Sequence, residues 1–155
     1  APGGPVLLRG RFMKAARRED FRYITRLQTR WGDVDRIGHV NNAKYFTYDE
    51  QARISYFEQR LNAAGQGPNI ILAHIGCDFL VQVHHPSDID YGIRVTRIGR
   101  SSLHTEGALF IGEVCHARTR GVLVWFDFAL QKTAPLPEAL REAIRSYEVV
   151  APEEG

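Results

Sequence analysis

Two cysteines are all that this chain of 155 residues carries, and Cys77 and Cys115 form no C-x-x-C pair. A zinc ribbon or a thioredoxin-like site would need such pairs, so neither is expected, and a reducing compartment fits best. Long apolar runs are also missing. The longest early one, Val6-Leu7-Leu8, is too short for the core of a signal peptide, and no later window approaches the length of a membrane span. The expectation is a soluble, cytoplasmic protein without a membrane partner. No G-x-G-x-x-G or Walker-type glycine loop occurs, which removes the usual nucleotide-phosphate cradles. His84, His85, His104, His116 and the cysteines lack the spacing of a zinc site, so no metal is expected. Charge of one sign is scarce as well: 20 Lys+Arg against 18 Asp+Glu give a net +2, which does not demand nucleic acid and leaves room for a local anion site.

What is present is an ordinary globular composition, 44% hydrophobic and 25% charged, enough for one domain with a real core. Residues 1–20, with Pro2, Gly3, Gly4 and Pro5 among basic residues, read as a flexible arm with at most a turn of helix. From Phe21 the chain alternates, with Tyr23, Thr25, Leu27, Thr29 and Trp31 on one side, as a half-buried strand does. A helix follows from about Asn42 to Ala64, stopped by Gly65-Gln66-Gly67-Pro68. Four strands come next, at about 70–83, 89–98, 101–111 and 116–131; along the last, Val122, Val124, Phe126, Phe128 and Leu130 make one apolar face. Pro137 introduces a short helix over 138–147, and 148–155 reads as a tail. One strand, one long helix and a run of strands describe an α+β domain over 21–147 in which an antiparallel sheet wraps a helix; a doubly wound fold would alternate its elements.

The chemistry concentrates where the first strand gives way to the helix, at Thr29-Arg30-Trp31-Gly32-Asp33-Val34-Asp35-Arg36-Ile37-Gly38-His39-Val40-Asn41-Asn42. A helix start exposes unpaired N–H groups and a partial positive charge, so a substrate carbonyl can be polarised there while a nearby carboxylate attacks or activates water. Asp35, nearer the helix, is the candidate nucleophile or base, and Asp33 the candidate scaffold. His39 has three readings, as polariser, general acid or base, or packing residue. One of Asn41 and Asn42 is expected to cap the helix, leaving the other amide for a substrate oxygen. Along the helix, Lys44, Thr47, Gln51, Ser55, Glu58 and Asn62 form a polar stripe. At about 100° per residue, Asp49, Glu50 and Arg53 fall on the opposite side, among Phe46 and Phe57, as a charged cluster expected to be buried, either satisfied within itself through the Asp49/Arg53 (i,i+4) and Glu50/Arg53 (i,i+3) spacings or set beneath the site to orient its groups.

The stretch Arg30-Trp31-x-Asp33-x-Asp35-x-x-Gly38-His39-Val40-Asn41-Asn42-x-x-Tyr45-x-x-Tyr48-x-Glu50-x-Ala52-Arg53 closely resembles the hotdog-fold acyl-CoA thioesterases. The likeness is to the 4-hydroxybenzoyl-CoA thioesterase-like branch, in particular its fatty acyl-CoA members with an H-V-N-N loop. Arg100-Ser101-Ser102 and Leu136-Pro137 with Leu140-Arg141 are similar to further family positions, so the resemblance runs from Phe21 to about Ile144. It implies a long helix wrapped by an antiparallel sheet of about five strands. It also implies a homodimer or homotetramer with its sites between protomers, and no cofactor, coenzyme A being part of the substrate. By residue, it implies Asp35 as the catalytic acid and the backbone amides of Val40, Asn41, Asn42 and Ala43 as the oxyanion donors. His39 and Asn42 would line the site, and Glu50 matches a helix carboxylate that some branches use. Arg97, Arg100, Ser101 and Ser102 are candidates to hold the CoA phosphates, and Tyr45, Tyr48, Phe57 and Phe79 to line the acyl pocket. A non-catalytic hotdog that binds acyl-CoA or acyl carrier protein is the first alternative. An enoyl-CoA hydratase or dehydratase is the second; it is disfavoured because such sites usually put four residues between Asp and His, and Asp35 and His39 have three between them.

Overall fold

The computed structural model describes residues 15–61 and 69–155. Its elements in chain order are β1 (Tyr23–Gln28), α1 (Asn42–Gln59), β2 (Ile70–Phe79), β3 (Asp88–Ile98), β4 (Ser102–Ile111), β5 (Val114–Asp127), β6 (Lys132–Thr133), α2 (Glu138–Tyr147) and β7 (Glu153–Glu154). The five long strands form one antiparallel sheet in the order β1-β3-β4-β5-β2, curled around α1 in the hotdog arrangement; β6 extends β5, and β7 runs parallel to the end of β3. Strand β2 is therefore an edge.

The sheet's inner face and the helix share one core. Ile89, Tyr91, Ile93 and Val95 of β3, Leu103 and Leu109 of β4, and Ala117, Leu123 and Trp125 of β5 pack against Tyr45, Tyr48, Ala52, Tyr56 and Phe57 of α1. The β5 face expected from Val122, Val124 and Phe126 is thus the outer one. That strand is apolar on both sides, and period-2 alternation alone does not say which side meets the helix. Phe128 and Leu130 lie beyond its end and are exposed. Strand β1 likewise stops at Gln28. A 3-10 turn over Trp31–Asp33 follows and throws Trp31 into solvent at 83% exposure, off the face expected for it.

On α1 the polar stripe is solvated as expected, with Thr47, Gln51 and Glu58 exposed. The opposite cluster divides. Asp49 and Arg53 are buried and paired with each other, whereas Glu50 is exposed, contrary to the burial expected for it. One residue is 100° of rotation, and the sheet covers only part of the circumference, so neighbours on a helix flank separate into core and surface. The glycine-rich helix stop lies outside the described residues, as do residues 1–14 of the N-terminal arm. From Ala15 onward that arm is packed: a 3-10 turn over Arg18–Asp20 places Arg18 Nη2 2.7 Å from Asp90, and Ala16 lies on an outer-face cluster of Phe21, Ala108, Phe110 and Cys115.

The C-terminal segment is tied into the same core. Glu148, just past α2, accepts hydrogen bonds from the Tyr56 hydroxyl and, at 2.9 Å, from the Val95 amide, while its Oε2 is buried without a partner among the described residues. Burial pushes the Glu148 carboxyl above its ordinary value, and these two donors only partly offset it. A raised carboxyl favours folding fully below its unfolded value, and that contribution fades as pH rises through the folded one. Glu148→Gln keeps the acceptor and removes the charge. Its stability relative to wild type is therefore expected to improve between about pH 4 and pH 7.5. Urea unfolding midpoints at the two pH values check this, and an unchanged difference would refute it.

Candidate active site

The loop between β1 and α1 is a tight hairpin. Val34 and Val40 form an antiparallel bridge, the Asp35 amide donates to the His39 carbonyl at 2.9 Å, and the Gly38 amide closes a turn on the Asp35 carbonyl at 3.1 Å. Gly38 has φ of 86°, a left-handed conformation that glycine adopts without steric cost. The hairpin puts Asp35 on one arm and His39 on the other, three residues before the helix begins.

Asp33 anchors this loop. It is 1% exposed and accepts from the Tyr48 hydroxyl at 2.6 Å and the Arg30 amide at 2.9 Å, with Arg30 Nη2 at 3.5 Å. Burial alone would raise its carboxyl, but the Tyr48 and Arg30 donors outweigh it and hold the group below the usual carboxylate range. Both oxygens of Asp33 are thus engaged within the loop and helix. Asp35 is half-buried, and its Oδ1 accepts only from the Ile37 amide at 2.9 Å; its other oxygen has no partner among the described residues.

The helix start is capped by Asn41, whose Oδ1 accepts from the Ala43 amide at 2.9 Å. The Val40 amide donates to Val83 and the Asn41 amide to Asp33, each at 2.8 Å. Of the four amides expected to serve as oxyanion donors, only that of Asn42 pairs with nothing among the described residues, and the Asn42 side chain is exposed beside it. The His39 ring packs edge-on against His84, with centroids 4.9 Å apart, in a second bridge between the two residues. From the sequence His84 is no more than a poor metal ligand. Its pairing with His39 spans 45 positions, and no local pattern announces it.

The remaining candidates scatter. Glu50 is exposed on α1, more than two turns from Asn42. The Tyr45 and Phe79 rings meet edge-on at 4.9 Å, with Tyr45 buried and Phe79 42% exposed, so this pair lines the open flank between α1 and β2. Burial lifts the Tyr45 phenol to about 12, and it stays neutral at physiological pH. Tyr48 is committed to Asp33, and Phe57 packs on Tyr56 in the core. Arg100, Ser101 and Ser102 sit on the β3–β4 turn, which Arg141 holds by donating to the carbonyls of Gly99 and Arg100 at 2.6 and 3.0 Å. The Arg100 and Arg97 side chains are both exposed, Arg97 beside Gly155 next to β7. This turn is at the far end of β3 from the Asp35 loop, about 30 Å away along an eleven-residue strand. Among the described residues, no three His, Cys, Asp or Glu side chains come together in a way that would hold a metal ion. No helix there is long and apolar enough to cross a membrane.

Comparison with known proteins bears on this site. The sequence profile of the family described as Thioesterase-like superfamily matches residues 29–144, from the start of the Asp35 loop through most of α2. A thioesterase from Thermus thermophilus, solved in complex with coenzyme A and Zn, is 36% identical with a TM-score of 0.76, covering 84% of this chain and 96% of that one. The PA5185 protein of Pseudomonas aeruginosa strain PAO1 is 31% identical with a TM-score of 0.77, covering 89% and 99%. The uncharacterized protein YsmA of Bacillus subtilis (strain 168) is 32% identical over 99 residues, which are 61% of this chain and 67% of that protein. With the acid-bearing loop, the central helix and every long strand of the sheet except β1 inside the matched region, the chain belongs to the thioesterase-like superfamily, a family of thioester hydrolases.

Proposed function

We propose that this protein hydrolyses acyl-CoA thioesters to a free acid and CoA, with Asp35 as the reacting carboxylate. The observation that carries the reading is the pairing of a half-buried carboxylate that has one unengaged oxygen with a helix start that has one unengaged amide, at Asn42. The Asn42 N–H, strengthened by the helix dipole, holds the carbonyl oxygen as negative charge develops on it. Asp35 either takes a proton from the attacking water or attacks the carbonyl carbon itself, giving an anhydride that water then opens. In both routes the C–S bond breaks and the thiolate leaves. A thiol with a pKa near 8.5 departs at neutral pH without a strong acid behind it, so one carboxylate and one donor suffice. His39, braced by His84, and the Asn42 side-chain amide border the same spot. Glu50 belongs to the site only if a second protomer covers its flank.

A second protomer is part of this reading. The Asp35 loop and the Arg100 turn lie at opposite ends of one protomer, so a single chain does not present both to one CoA ester. Antiparallel pairing of edge strand β2 with its copy carries one protomer's turn toward the other's loop. Unpaired strand edges invite such addition. The flank beside β2 exposes Phe79, Leu72 and Ile54, apolar surface that a partner would bury. Arg100, Ser101 and Ser102 then supply donors to the CoA phosphates, with Arg97 beside β7.

Thiol release from a panel of acyl-CoA esters of graded chain length tests the activity, and light scattering on the same sample tests the assembly. Turnover of at least one ester by a dimer or tetramer is expected. Tight binding of intact ester without turnover would instead favour a binding protein, and water addition to an enoyl-CoA a hydratase. Arg100→Glu is expected to raise KM for CoA esters about tenfold, the cost of losing a charge-assisted hydrogen bond, with kcat little changed. Equal KM values would remove Arg100 from the CoA site.

A further inference from the structure

The outer face of the sheet carries a cleft, about 330 Å³ in volume, that the proposed reaction does not use. Its side chains come from four strands: His74 of β2, Arg94 and Thr96 of β3, His104 and Glu106 of β4, and Arg120 of β5. Two adjacent cross-strand rows build it. In one, Gly76, Arg120, Glu106 and Arg94 stand side by side; in the next, His74, Val122 and His104 do.

The charges in the first row are unevenly matched. Glu106 lies directly across from Arg120 in the β4–β5 register, yet its two oxygens are taken by others: Oε2 by Arg94 and Oε1 by Arg118, each at 3.0 Å. Arg118 also faces Asp78 across the β2–β5 register, so these two guanidinium groups stand among two carboxylates. Arg120 is the cation left over, being exposed and without an acidic partner among the described residues. On its other side stands Gly76, where an added Cβ would meet only the His74 ring, at 3.8 Å. The guanidinium of Arg120 thus borders open space, with the imidazoles of His74 and His104 on the neighbouring strands. Five N–H donors in a planar fork, on a guanidinium with no carboxylate of its own, match a phosphate group.

We propose that this cleft is a binding site for a small phosphorylated ligand, with Arg120 as its principal contact and His74 and His104 as supporting donors. It lies on the sheet face away from α1 and is independent of the thioester reaction. Its lining shares no residue with the Arg100 turn assigned above to the CoA phosphates, so the two sites can be tested apart.

Calorimetric titration of the full chain with inorganic pyrophosphate and, separately, with adenosine 5′-monophosphate tests this. Saturable binding of either is expected, at least fivefold weaker in Arg120→Gln and unchanged in Asp35→Asn. Stronger binding of pyrophosphate marks a free inorganic ligand, and equal or stronger binding of the nucleotide marks a phosphate ester; both support the site. Arg120 is exposed, so the variant is expected to keep the wild-type melting temperature and the wild-type rate of thioester hydrolysis, which separates this proposal from the catalytic one. Absence of saturation with both probes, or equal affinity in wild type and Arg120→Gln, would overturn it.

Discussion

Asp49→Ala is expected to destabilise the fold by about 3–5 kcal/mol, the usual result of removing one partner from a buried ion pair. Asp49 is 2% exposed at the middle of α1 and collects three donors: the Arg53 guanidinium, the Thr119 hydroxyl and, at 2.9 Å, the Tyr91 hydroxyl. The space around it is closed by Gly107, where an added Cβ would stand 2.6 Å from Asp49 and 2.9 Å from the Tyr91 hydroxyl. Truncation to alanine leaves the Arg53 charge in the core, 7% exposed, with nothing opposite it. Tyr91 and Thr119 keep only the 3.1 Å contact between themselves. Against a total stability of about 5–15 kcal/mol, such a loss is large. Urea unfolding at fixed protein concentration measures it. Asp49→Ala combined with Arg53→Met removes the orphaned charge and is expected to recover a substantial part of the loss. A single-variant loss below about 1 kcal/mol would show that the network is not what fixes the helix to the sheet.

Parts of this network were legible in the sequence and parts were not. The i,i+4 spacing of Asp49 and Arg53 on the apolar side of a helix announced a buried pair, and that pair formed. Tyr91 and Thr119 lie 42 and 70 positions from Asp49, and no local pattern carries them. Glu50 failed for a geometric reason: a helix wheel orders side chains by angle, but only the packed sheet decides where burial ends. Helix α2 was readable to the residue because Pro137 sets its start and its apolar positions are unambiguous. The two-residue strands β6 and β7 are too short to show alternation. On strand β5 the shared face of Val122, Val124 and Phe126 was legible, but not which side meets the helix, because Leu123 and Trp125 are just as apolar. The loop was legible in kind and not in detail. Proximity of acids to a helix start could be read, whereas the engagement of Asp33 by Tyr48 and the capping by Asn41 rather than Asn42 depend on how the hairpin closes.

Asp35→Asn is expected to lower kcat by about 10²–10⁴, the range a positioned acid–base group contributes, with KM and melting temperature little changed. The substitution is nearly isosteric. An amide oxygen still accepts from the Ile37 N–H, so the turn that holds the loop survives while the charge and the basicity are lost. The same change two residues earlier reads differently. Asp33→Asn is directed at a buried carboxylate already bound to Tyr48 and Arg30, and its effect falls on stability.

The measurement that bears most directly on the function is single-turnover thiol release from an intact acyl-CoA ester that the wild type hydrolyses, in excess enzyme, by wild type and Asp35→Asn of matched oligomeric state. A first-order rate at least a hundredfold slower in the variant, with the ester still bound, is the predicted result. Rates within threefold of each other would contradict the assignment of the chemistry to Asp35.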